Sequence, residues 1–220
     1  MNYLIIGTDT GVGKTFVTAG LVRFGRLIGI DCIGMKPVCT GDNRDVREIS
    51  AACDHAEPEH LLNPIWYRTP VAPYTAAIIE NRALDLVAIQ SAFETLSKRY
   101  SAVMVEGAGG ISVPLLVDYD FRDLAKDLGL EIVVVAANRL GVLNHTRLTV
   151  EAIHSAKLIC RLVLLNSAPG APDISQATNL SVLEHLVDVP VLAVERDQKE
   201  FNEICKRLGW SHHFQRTDPE

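Results

Sequence analysis

Short apolar runs alternate with amphipathic stretches along this chain. Tyr3–Ile6, Cys32–Met35, Ala102–Val105, Ile132–Ala137, Leu162–Leu165 and Val189–Val194 are too short for helices and lack polar alternation. That pattern predicts strands buried on both faces. Between them the spacing turns helical. Lys14–Ile28 follows the first run and its loop, and Leu84–Lys98 carries Leu84, Val87, Ala88, Phe93 and Leu96 on one side. Phe121–Leu128, Thr146–Ala156, Ile174–Leu186 and Lys199–Leu208 are shorter helical candidates. Such alternation predicts an α/β fold: a mostly parallel, doubly wound sheet flanked by helices. No internal repeat interrupts it, and residues 1–220 fit a single domain.

Two stretches leave the rhythm. Residues 57–81, EPEHLLNPIWYRTPVAPYTAAIIEN, hold four prolines. A long ordered excursion in a compact domain is generally functional, and a lid is one reading. No site residue is assigned to it. The stretch 209–220, GWSHHFQRTDPE, is polar and is expected to fray. His212–His213 lie there with no other ligand at a recognisable spacing, so they mark no metal site.

Charge and cysteine usage narrow the function class. The chain carries 21 Lys and Arg against 27 Asp and Glu, a formal charge of −6, with no basic run. Nucleic-acid binding rests on clustered Lys and Arg and is not expected. The longest apolar runs, such as IVVVAA at 132–137, are far too short to span a bilayer. The N-terminus runs straight into NYLIIG, without basic leader or cleavage site. Cys32, Cys39, Cys53, Cys160 and Cys205 form no Cys-x-x-Cys pair. They read as reduced, mostly buried thiols of a cytoplasmic protein.

The strongest chemical signal is GTDTGVGKT at 7–15. It lies between a predicted strand and a predicted helix, the setting of a phosphate-binding loop. Gly11 and Gly13 let backbone N–H groups turn inward, and the helix beginning near Lys14 aims its positive end at the phosphates. Lys14 would reach β- and γ-phosphate oxygens, and the Thr15 hydroxyl would ligate Mg²⁺. Thr8 stands where the first loop glycine is expected, and Asp9 puts a carboxylate where anions gather.

Two further segments join this loop. VMVEGAGG at 103–110 carries Glu106 at the carboxyl end of a strand, where open α/β folds bind ligands. A carboxylate there can hold Mg²⁺ directly or through water, and Gly107, Gly109 and Gly110 let the backbone approach a ligand. GMKPVCTGDNRD at 34–45 places Lys36 at the end of the second strand. A second cation there would stabilise charge developing in phosphoryl transfer. Asp45 opens the next helix, as a cap or as part of the metal shell.

In order and spacing, GTDTGVGKT, KPVCTG, VEGAGG, RLGVLNH and the isolated Asn166 resemble dethiobiotin synthetases over most of residues 1–196. The phosphate loop is common to many ATPases. Its Thr-Asp-Thr, with Lys-Pro-Val and Val-Glu-Gly-Ala-Gly-Gly, is far more specific. The resemblance implies a P-loop NTPase fold and an ATP- and Mg²⁺-dependent ring closure in biotin biosynthesis. CO₂ joins one amine of 7,8-diaminopelargonate as a carbamate, ATP phosphorylates it to a carbamic–phosphoric anhydride, and the second amine closes a ureido ring.

The same resemblance distributes roles along the chain. Asp9, Thr10, Gly11, Val12, Gly13, Lys14, Thr15 and Phe16 would cradle the nucleotide, with Gly107, Ala108 and Gly109 approaching it. Asn166 would read adenine through its amide, and Val194, Glu195 and Arg196 would close over the adenosine. Ser167 stands where some members carry an acidic residue, which would loosen base selectivity. Thr15, Asp45 and Glu106 would form the metal site. Lys36, Lys14 and Thr10 would serve catalysis, and Lys36, Thr40 and Gly109 would meet the substrate. Leu143 and Asn144 would bind the substrate carboxylate at a helix start across a homodimer interface. Asp9 would pair with Lys36 or a substrate ammonium, or else bond its own backbone as a turn residue.

Two rival readings stay open. One is a ParA/MinD-like dimerising switch ATPase. Those proteins carry a lysine early in the loop, where this chain has Asp9, and often add a membrane- or DNA-binding element. The other is a further carboxylate- or carbamate-activating P-loop ligase. The corrinoid amidase type would need an extension supplying ammonia.

Overall fold

The computed structural model describes residues 1–167 and 174–210. The chain opens with β1 (Asn2–Gly7) and passes through the glycine loop into α1 (Lys14–Leu27). β2 (Cys32–Met35), β3 (Val38–Thr40) and α2 (Arg44–Ala52) follow. The proline-rich excursion folds into α3 (Glu59–Leu62), β4 (Ile65–Tyr67) and α4 (Pro73–Ile79). Then come α5 (Leu86–Arg99), β5 (Ala102–Gly110), the hairpin strands β6 (Pro114–Leu116) and β7 (Tyr119–Asp120), and α6 (Phe121–Asp127). The last part runs β8 (Glu131–Asn138), α7 (Val142–Ser155), β9 (Cys160–Ser167), α8 (Ile174–Leu186), β10 (Val191–Val194) and α9 (Asn202–Arg207).

Six strands form the central sheet in the order β10-β9-β8-β1-β5-β2, every neighbour parallel. Leu4, Ile5 and Ile6 in β1 and Val133, Val134 and Val135 in β8 are wholly buried, as strands covered on both faces must be. Connections leave β1 in one direction and β8 in the other: α1 packs toward β2 and β5, and α7 packs on β8 and β9. The carboxyl ends of β1 and β8 therefore bound a topological switch point, where ligands enter such sheets.

Several strands extend past their apolar runs. β5 continues through Glu106 to Gly110, and β9 includes Asn166 and Ser167. The ladder bonds backbone to backbone and tolerates a polar side chain at its end: Ala137 pairs with Asn166, and Asn138 with Ser167. Helix α7 starts at Val142 rather than Thr146, because Gly141 at φ 94° takes the cap position. The stretch 57–81 is not one loop, since β4 pairs in parallel with β3 as a second small sheet.

The end of the chain departs from expectation at its first two residues. Trp210 is buried, and its backbone N–H donates to the Cys205 carbonyl at 2.9 Å. Gly209 and Trp210 thus belong to the packed body. Residues 211–220, with His212–His213, lie outside the described residues. All five cysteines are free and buried. Among the described residues, no helix is long and apolar enough to cross a membrane.

Candidate active site

The two helices that follow β1 and β8 start differently from α5 and α6. Asp85 caps α5 by accepting from the Ala88 N–H at 2.9 Å, and Asp120 with Asp123 forms a capping box on α6. Helices α1 and α7 instead start at left-handed glycines, Gly13 and Gly141, with no side-chain cap. With no capping side chain, first-turn N–H groups face outward as an anion would need, although the Val142 N–H of α7 donates to the Arg139 carbonyl at 3.1 Å.

A cavity of about 630 Å³ opens at the carboxyl ends of β1, β2 and β5. Thr10, Gly11, Gly13, Lys14 and Thr15 form one wall; Lys36, Cys39, Thr40 and Asp45 form the second. Ala108, Gly109 and Val113 line the cavity as well, as do Pro70, Val71, Ala72 and Pro73. Three separate segments of the sequence signal thus meet here. The Pro70–Pro73 wall comes from the excursion to which no site residue had been assigned. Proline spacing alone carries no sign of which face a loop will cover.

Behind this surface lies a charge cluster. The Lys36 ammonium donates to Glu106 Oε1 at 2.5 Å, to Asp45 Oδ2 at 2.9 Å and to the Gly107 carbonyl at 3.2 Å. The Thr15 hydroxyl donates to Glu106 Oε1 at 3.0 Å. Glu106 is wholly buried rather than a solvated turn residue, and its Oε2 has no hydrogen-bond partner. Asn63, also unforeseen, donates its amide to the Lys36 carbonyl at 2.7 Å and so fixes the lysine's backbone.

The electrostatics follow from burial and pairing. Burial acts to deprotonate Lys36, but Glu106 and Asp45 beside it reverse this and hold its pKa above the ordinary lysine range. Burial also opposes charge on Asp45, yet the Lys36 ammonium and its hydrogen bond keep it below the usual carboxylate range. Lys14 has no carboxylate this close among the described residues. Burial, and then the neighbouring Lys36 charge, lower its pKa to about 8. Its ammonium donates to the Asp9 carbonyl at 3.2 Å. Phosphate oxygens would restore its full charge.

Asp9 does not pair with Lys36, whose ammonium is taken by Glu106, Asp45 and Gly107. Its Oδ1 accepts from the Thr10 N–H at 2.7 Å, the turn bond of the alternative reading. Its Oδ2 faces Arg139 at 3.4 Å, across the switch point between β1 and β8. Nothing in the sequence signals that pairing, which joins residues 130 positions apart.

Other expected site residues gather beside the cavity. The Asn166 amide donates to the Val12 carbonyl at 2.9 Å, so part of its bonding capacity holds the phosphate loop. Val194 pairs with Asn166 in the sheet register, and Glu195 accepts from the Ser167 hydroxyl at 3.3 Å. Val194, Glu195, exposed Arg196 and Asn166 thus cluster at the ends of β9 and β10, next to Gly13. Phe16 turns its ring toward Phe201, with centroids 6.5 Å apart, which leaves its backbone for the loop. Gly107 sits behind the cavity with Glu106. Leu143 and Asn144 occupy the first turn of α7 and do not line the cavity. Among the described residues, no three His, Cys, Asp or Glu side chains converge as a metal cluster.

Comparison with known proteins places the chain as a whole. A family model described as an AAA domain matches residues 1–198. A protein of Anaeromyxobacter sp. (strain Fw109-5), named ATP-dependent dethiobiotin synthetase BioD, is 42% identical over 202 residues, covering 86% of this chain and 91% of the relative. A protein of the same name from Akkermansia muciniphila is 38% identical, covering 94% of this chain and 99% of its own length. Among solved structures, the hydrogenase maturation factor HypB of Archaeoglobus fulgidus superposes with a TM-score of 0.56 over 96% of this chain and 89% of that one. At 15% identity that likeness speaks for the P-loop NTPase fold alone. By its relatives' identity and coverage, the chain belongs to the ATP-dependent dethiobiotin synthetases.

Proposed function

We propose that this protein closes the ureido ring of dethiobiotin from 7,8-diaminopelargonate, CO₂ and ATP. The buried Lys36–Glu106 pair beside the phosphate loop, with one Glu106 oxygen unpaired, carries the reading. A fixed cation serves any phosphoryl transfer, and an attacking anion brings a further charge to be neutralised. A transfer to a small anion needs the cation where charge develops.

One amine of the diamine attacks CO₂, loses a proton and becomes a carbamate. Lys36 lines the cavity and would hold the carbamate by exchanging its bond to Asp45, whose carboxylate is then free for the metal. A carbamate oxygen attacks the γ-phosphorus in line, and ADP leaves. The second amine then attacks the carbonyl carbon, phosphate departs with the C–O bonding pair, and the proton released by the new ureido nitrogen goes to the departing phosphate. Lys14 and the loop N–H groups from Thr10 to Phe16 hold the phosphates, with Thr10 beside the γ-position. Thr40 and Gly109 border the diamine. Asn166 and Val194–Arg196 hold the adenosine.

The donor set fits Mg²⁺. Thr15 and Asp45 present a hydroxyl and a carboxylate to the cavity, and Glu106 adds an unpaired buried oxygen behind them. Bound there, the ion would neutralise phosphate charge. Leu143 and Asn144 lie at the uncapped start of α7. They would bind the distal carboxylate of a diamine held by a second copy, making the enzyme a homodimer with shared sites. The free buried thiols suit a cytoplasmic setting.

The test is one assay: purified protein, 7,8-diaminopelargonate, bicarbonate, Mg²⁺ and ATP, with the product read by mass. ADP release that requires the diamine is expected, and diamine-independent release would favour a switch ATPase. A solution mass near twice the chain's 24.1 kDa is expected for the shared site. A monomer that still closes the ring would refute the sharing.

A further inference from the structure

Trp66 is a large aromatic left 38% exposed at the edge of the β3–β4 sheet, outside the cavity. Its indole N–H nevertheless has a defined partner: it donates to the Gly41 carbonyl at 2.8 Å. The Gly41 N–H in turn donates to the Tyr67 carbonyl at 2.9 Å. Both backbone polar groups of Gly41 are therefore held by two consecutive residues of β4. Gly41 itself sits at φ 78°, and a Cβ there would press on Pro70 at 2.9 Å. No other residue type fits that turn without strain.

The held residue directly follows Thr40, which lines the cavity. Asp45 is seated independently on α2, whose start is held where the Arg44 N–H donates to Asp42 Oδ1 at 2.9 Å. Arg68 lies over the Trp66 ring, 6.0 Å from its centroid, and Arg82 lies 4.4 Å from the Tyr67 centroid. Arg82 also donates to the Trp66 carbonyl. The β4 platform is thus braced from both sides, and the indole transmits its position to the Thr40–Gly41 turn.

We infer that Trp66 is a positioning residue for ring closure, setting Thr40 against the diamine through its N–H bond to Gly41. The inference rests on the ring-closing reading of the cavity. It places part of the substrate specificity in the excursion, on a side chain that touches no substrate.

Two substitutions separate the N–H from the ring. Trp66→Phe keeps an aromatic ring under Arg68 and lacks the donor. Trp66→Gln lacks the ring but carries an amide nitrogen the same number of bonds from Cβ as the indole nitrogen. Losing one neutral hydrogen bond predicts a rise in the diamine KM of about five-fold for Trp66→Phe, with the ATP KM unmoved. Trp66→Gln is expected to lie nearer wild type in diamine KM. Wild type must first yield dethiobiotin by mass; if it does not, the functional reading fails, not this one. With an active wild type, an unchanged diamine KM in Trp66→Phe overturns the inference. So does a Phe variant outperforming Gln, equal rises in both KM values, or failure of both variants to fold, each of which would make the residue structural.

Discussion

Lys36 Nζ stands 2.5 Å from Glu106 Oε1, and both side chains are closed off from water. A cation held this way is already oriented when charge develops, so no solvent has to rearrange during transfer. Lys36→Gln is expected to lower kcat by about a hundredfold or more, with ATP affinity changed only a few-fold. Steady-state rates and a nucleotide titration on the same preparation check this. Wild-type turnover in the variant would remove Lys36 from the catalytic role.

The partner makes a separate prediction. Glu106 Oε2 is buried without a hydrogen bond, a state that disfavours folding unless something else uses the oxygen. Glu106→Ala is expected to raise the Mg²⁺ concentration needed for half-maximal rate by about tenfold or more, a size typical of supporting groups around a metal. A Mg²⁺ titration at saturating ATP measures it. Superimposable curves for variant and wild type would exclude Glu106 from the metal site.

Much of this architecture was legible because its determinants are local. Buried parallel strands appear as unbroken apolar runs, and polar residues that end such runs, Glu106 and Asn166 among them, mark the ligand edge of the sheet. Lys36 and Asp45 were readable from their strand-end and helix-start positions. What stayed hidden depends on contacts between distant segments. Three-residue strands such as Val38–Thr40 and Ile65–Tyr67 are too short to show a period, so their pairing, and the wall at Pro70–Pro73, left no trace. The Asp9–Arg139 pair has no local signature either. Trp210 looked like part of a polar tail because its burial comes from the body of the protein, not from its neighbours in sequence.

Gly13 carries two constraints at once. Its φ of 95° disfavours any side chain, and a Cβ would run into the Asn166 amide. Gly13→Ala is expected to weaken ATP binding about tenfold or more, since the strained φ alone costs roughly 1–2 kcal/mol. Adding Asn166→Ala makes room but leaves the backbone strain and removes the bond to the Val12 carbonyl, so the double variant should lose less than the sum of the two single losses. It should also lose preference for adenine over other bases. Calorimetric titration of the two single variants and the double variant checks this. Full recovery in the double variant would show that the collision, not φ, decides.

The thiols set a limit at alkaline pH. Burial pushes Cys32, Cys160 and Cys205 up to about 12 from an ordinary value of 9.0. The folded state therefore favours the protonated thiol, while the unfolded chain ionises near its ordinary value. The stability tied to these groups is complete below pH 9 and is lost as pH rises from 9 toward 12. Burial pushes Tyr3 up to about 12 as well, from 10.0, which steepens the loss above pH 10. The urea midpoint is expected to fall steadily from pH 9 upward, less steeply in Cys160→Ala. At pH 8 a thiol reagent should react with none of Cys32, Cys53, Cys160 and Cys205 in the native protein and with all five cysteines in denaturant. A midpoint constant between pH 9 and 11, or native labelling of Cys32, Cys53, Cys160 or Cys205 at the rate of a free cysteine, would contradict the sealed positions from which these shifts arise.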